Sequence, residues 1–155
     1  MIYGFSFEYP TDCKLEFNPK FKREEGDVAL KWPQNFNIFV SWGPLDKLKE
    51  KSTTLEDHAN FSLDRIKKSV QGKISTIEPK ETEVQGHKSL FNHVRVEVPR
   101  RGLFGGKSQY QEVRSLHLHC EESSRYFVIY GTTGIEKSEQ QGETVSSVIE
   151  SFRCH

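Results

Sequence analysis

The chain has 155 residues, enough for one domain of ordinary size, with 12% aromatic residues and 22 Lys+Arg balanced by 22 Asp+Glu. Abundant rings and zero net charge exclude a disordered chain. They also give nucleic acid and anionic membrane no general attraction, so neither is expected as a partner.

No run approaches the ~18 apolar residues of a membrane span. The opening Met1-Ile2-Tyr3-Gly4-Phe5-Ser6-Phe7-Glu8-Tyr9-Pro10 has neither a basic nor a long apolar stretch. A cytoplasmic location is therefore expected. The three cysteines, Cys13, Cys120 and Cys154, lack zinc-finger or C-x-x-C spacing and are read as reduced thiols.

In chain order, Phe5, Phe7 and Tyr9 alternate with Ser6 and Glu8, which predicts a strand over 5–9 ended by Pro10. A polar connector follows, dense in charge over 20–27. Val28 to Trp32 and Phe36 to Trp42, parted by Pro33-Gln34-Asn35, read as a hairpin. Thr54-Leu55-Glu56-Asp57 starts a helix, with Thr54 as N-cap and Asp57 in place of the usual capping-box Glu. Leu55, Ala59, Leu63, Ile66 and Val70 form its apolar stripe, and Gly72 stops it.

Beyond Gly72 the period falls to two. Strands are expected over 73–84, interrupted by Pro79, over 88–98 and over 110–120. The nearly continuous apolar run Tyr126-Phe127-Val128-Ile129-Tyr130 predicts a central strand covered on both faces. Val145, Val148, Ile149 and Phe152 stripe a last helix from about Ser138, with Ser138 to Gln141 as a capping box. No repeat or interior linker is visible, so one domain spanning 1–155 is expected.

Three segments resemble the superfamily that holds the photosystem II subunit PsbP, the Ran-binding Mog proteins and the DcrB type. They are Phe5-Ser6-Phe7-Glu8-Tyr9-Pro10, Thr54-Leu55-Glu56-Asp57 and the closing Ile149-Glu150-Ser151-Phe152. The resemblance spans nearly the whole chain and implies an α+β fold: an α/β/α sandwich with a mostly antiparallel sheet of six or seven strands between helices. These motifs are structural and transfer no functional residue.

Two segments carry chemistry of interest. In His117-Leu118-His119-Cys120 the two imidazoles project from one face of a strand. They are candidates for a metal or small ligand, with His93 or the Cys154-His155 pair as further donors, or else a half-exposed or helix-covered surface. Gly102-Leu103-Phe104-Gly105-Gly106-Lys107-Ser108 misses the P-loop pattern, with Arg101 where the first Gly is needed and a strand following instead of a helix. In the same loop, Arg100, Arg101 and Lys107 flank Leu103 and Phe104. That is an apolar anchor in a charged rim, suited to recognising another protein, or a small satellite core.

No Gly-x-Ser-x-Gly elbow is present, and Glu24-Glu25 and Glu121-Glu122 fall in polar connectors. Trp32, Phe36 and Trp42 read as core or cross-strand rings, with a ligand groove as the alternative. The expectation is a non-catalytic adaptor that binds another protein through Arg100, Arg101, Leu103, Phe104 and Lys107, with no cofactor. The alternative is a small-ligand or metal-binding protein using His117 and His119.

Overall fold

The computed structural model describes residues 4–33, 36–51, 54–70, 73–98, 109–134 and 137–154. The strands are β1 (Phe5–Ser6), β2 (Lys14–Phe17), β3 (Gly26–Lys31), β4 (Asn37–Pro44), β5 (Lys73–Val84), β6 (His87–Val98), β7 (Gln109–Cys120), β8 (Arg125–Gly134) and β9 (Arg153–Cys154). The helices are α1 (Leu45–Lys49), α2 (Leu55–Val70) and α3 (Ser138–Ser151). Seven strands form one antiparallel sheet in the order β2-β3-β4-β8-β7-β6-β5. The α+β class expected from the sequence holds.

Alternation along β7 sorts the sheet into two faces. Leu116, Leu118 and Cys120 join Trp42, Phe127, Ile129 and the α3 residues Val145, Val148, Ile149 and Phe152 in the larger core. Val113 points the other way, into a smaller core with Leu63 of α2, Val94 and Val96. Strand β8 is central, as its apolar run predicts. Pro79 is tolerated in β5 because that strand is an edge, where one side of the backbone needs no ladder partner.

The predicted α2 start forms as a reciprocal pair. Thr54 Oγ1 accepts from the Asp57 N–H at 3.1 Å, and Asp57 Oδ2 accepts from the Thr54 N–H at 3.2 Å. The hairpin also forms, with Val28 opposite Val40 and Leu30 opposite Ile38. Its rings are packing elements: Trp32 meets Phe36 at 4.7 Å, and buried Trp42 meets Phe5 at 4.9 Å between ring centres.

Three expectations are corrected. The first strand is only Phe5–Ser6, and it pairs with the C-terminal β9 instead of the main sheet. Part of the supposed connector is β2, whose Leu15 and Phe17 lie opposite Leu30 and Val28. Helix α3 takes Lys137 as N-cap with no side-chain cap bond, so Ser138 is not its capping residue.

Candidate functional site

Helix α2 covers its face of the sheet incompletely. At one end Leu63 seals against Val94, Val96 and Val113. At the other a cavity of about 510 Å³ opens, walled by His58, Phe61 and Arg65 of α2 and floored by Phe39, Ser115, His117, Tyr126, Val128 and Tyr130. The pleat explains the floor: Ser115 and His117 share a face of β7, and register sets His117 against Val128 and Ser115 against Tyr130. Its volume falls within the ~300–1,000 Å³ typical of small-molecule sites.

Three imidazoles gather on this face. His58 and His119 share a hydrogen bond, Nδ1 to Nε2 at 3.2 Å, and the His58 ring meets that of His117 at 4.9 Å, edge to face. His58 also packs edge-on against Tyr126 at 5.2 Å. Burial, with His117 and His119 adding, pushes the His58 ring down to about 3. Burial, with His119 adding, pushes His117 down to about 4. His119 is also lowered, by burial and then Lys49. At neutral pH these rings are uncharged donors and acceptors.

His117 is fully buried, yet neither ring nitrogen meets a hydrogen-bond partner among the described residues. The same holds for Ser115 Oγ and for Asn92 Nδ2, which stands directly across from Ser115 on β6. Leaving such a group unpaired costs about 1–3 kcal/mol each. Three of the buried unpaired side chains among the described residues thus lie together on the face that borders the cavity.

Of the further donors considered in the sequence, His155 lies outside the described residues, and neither His93 nor Cys154 joins this group. His93 faces the α3 side, where its Nε2 meets Glu112 at 3.0 Å. Cys154 is also on that side, in the larger core. Arg100, Arg101, Leu103, Phe104 and Lys107 lie outside the described residues. Sequence reasoning found His117 and His119 from their spacing. It missed His58, whose partners are roughly sixty residues away in the chain, and Ser115 and Asn92, which carry no motif. Among the described residues no helix is long and apolar enough to cross a membrane.

This sheet between helices is the architecture of PsbP-like proteins. The solution structure of cyanobacterial PsbP (CyanoP) from Synechocystis sp. PCC 6803 superimposes with a TM-score of 0.69 at 13% identity, over 99% of this chain and 88% of that one. PA94 from Pseudomonas aeruginosa, a protein of unknown function, does so with a TM-score of 0.51 at 10% identity, over 90% of this chain and 80% of its own. At such identities the likeness is one of fold. No family model and no curated protein matches the sequence.

Proposed function

We propose that the chain is a non-catalytic binding domain that holds a small, ring-bearing polar ligand between α2 and the sheet. The observation that carries this reading is His117, fully buried on the cavity floor with both ring nitrogens unpartnered among the described residues. A ligand hydroxyl, carbonyl or carboxylate that pairs with His117 and Ser115 removes the penalty of leaving them unsatisfied. The stacked Phe39 and Tyr130 rings, 5.0 Å apart, supply an aromatic wall, and Arg65 supplies a cation.

The depressed imidazoles favour binding over acid–base chemistry. A general base works best with a pKa near the working pH, and rings held at about 3 and about 4 are too weak for that task. The test is calorimetric titration with a library of hydroxy- and carboxy-substituted aromatic compounds, wild type beside His117→Leu. Binding lost in the variant, with its fold retained, supports the reading. Equal binding by both proteins contradicts it. The protein-recognition reading of the 99–108 loop, the role closest to the Mog branch of the resemblance, is tested separately by Phe104→Asp in a partner capture.

A further inference from the structure

On the α3 side, across the sheet from the histidine patch and at the same end of β7, three metal-ligating side chains converge from three separate elements. They are His87 at the start of β6, Cys120 at the end of β7 and Cys154 in β9. Their ligating atoms all lie within 4.8 Å of one another, and His87 Nε2 is 3.7 Å from Cys120 Sγ. Around a single ion with ~2.0 Å bonds to nitrogen and ~2.3 Å bonds to sulfur, an N···S separation of roughly 3.5–3.8 Å is required.

The placement is held from outside the group. The Cys154 N–H donates to Gln85 Oε1 at 3.0 Å, and Cys154 pairs with Phe5 of β1. Gln85 and Val84 also line a second cavity, of about 590 Å³. Both cysteines are fully buried and His87 is partly exposed.

We propose that His87, Cys120 and Cys154 form a site for one thiophilic ion, copper(I) in preference to zinc(II). Two thiolates and one imidazole are a soft donor set, which selects these two metals over oxygen-loving cations. Zinc sites take four ligands, and the described residues bring three to this point. Copper(I) is satisfied by three.

Charge points the same way. Two thiolates and Cu⁺ leave one net negative charge, and the Arg125 guanidinium interacts electrostatically with both cysteines. With Zn²⁺ the two thiolates and the ion would be neutral, leaving the Arg125 charge unbalanced by the site. Without metal, burial and then Cys120 push the Cys154 thiol up, so loading must displace its proton to solvent as the metal–sulfur bond forms. Uptake should therefore strengthen as pH rises. The ion would tie β9, and through it β1, to the sheet.

The experiment is anaerobic titration of the reduced protein with copper(I) against a chromophoric copper(I) chelator, and with zinc(II) in parallel. One copper per chain, with X-ray absorption showing two sulfur and one nitrogen neighbour, is expected. Cys154→Ser should weaken uptake at least a hundredfold and His87→Ala at least tenfold, while Cys13→Ser leaves it unchanged. His87 is partly exposed, so its variant keeps the test valid if the cysteine variant fails to fold. No uptake, uptake indifferent to His87→Ala, or tighter zinc than copper binding overturns the proposal. So does a wild-type chain that takes no metal and instead loses two hydrogens to a Cys120–Cys154 disulfide.

Discussion

On the α3 side of the sheet, Trp42, Leu116, Phe127, Ile129, Val148 and Phe152 close into a continuous apolar core. On the α2 side the buried apolar cluster is smaller, Leu63, Val94, Val96 and Val113, and His117, Ser115 and Asn92 lie on the same face. Both surfaces belong to the same strands, so register and twist cannot explain the difference. Side-chain choice does: one face builds the larger apolar core, while the other keeps His117, Ser115 and Asn92 unpaired among the described residues beside an open volume. Stability comes chiefly from the first, and the second is where we propose that a ligand is recognised.

Breaking the apolar side should have the largest effect. Phe152 is fully buried against Phe5 and Phe127, with ring centres 6.0 and 5.1 Å away. Phe152→Ala should cost about 3–5 kcal/mol in urea unfolding, through lost transfer energy and the cavity left behind.

Acid should act through the other face. His58 and His117 are held at about 3 and about 4, below their unfolded value of 6.5. Between those values the unfolded chain binds more protons than the folded one. Stability is therefore complete above pH 6.5 and falls as pH drops toward 4 and then 3. Each ring contributes a slope of at most about 1.4 kcal/mol per pH unit. Urea midpoints across this range should flatten in a His58→Gln, His117→Leu double variant.

The single change His117→Leu sharpens the contrast further. It replaces an unpaired buried ring with an apolar side chain, and should raise ligand-free stability by about 1 kcal/mol while abolishing ligand binding. A site kept for function at the expense of stability behaves in that way. Smallest is Phe61→Ser. Phe61 is 47% exposed at the cavity rim, so stability should move by less than about 0.5 kcal/mol while ligand affinity falls severalfold.

Much of the scaffold is legible in the sequence because period and caps are local signals. Thr54 and Asp57 announce α2, and the apolar run 126–130 announces the central β8. What is lost is whatever depends on distant partners. Phe7 and Tyr9 continue the alternation of a strand, yet among the described residues only Phe5 and Ser6 pair, because Phe152, next in register, caps α3. The spacing of His117 and His119 is visible, but His58 approaches them only once α2 packs on the sheet. Cys120 and Cys154 are likewise far apart in sequence and join His87 only through folding. An odd cysteine count without a spacing motif could not reveal that.

The central claim is that the His117 patch is where a ligand sits. The most direct measurement is imidazole nitrogen NMR on histidine-labelled protein during titration with any compound the calorimetric screen finds to bind. The account predicts that the His58 and His117 signals shift at saturation, while those of His87 and His93, on the opposite face, stay in place. Binding that leaves His58 and His117 unmoved would contradict it.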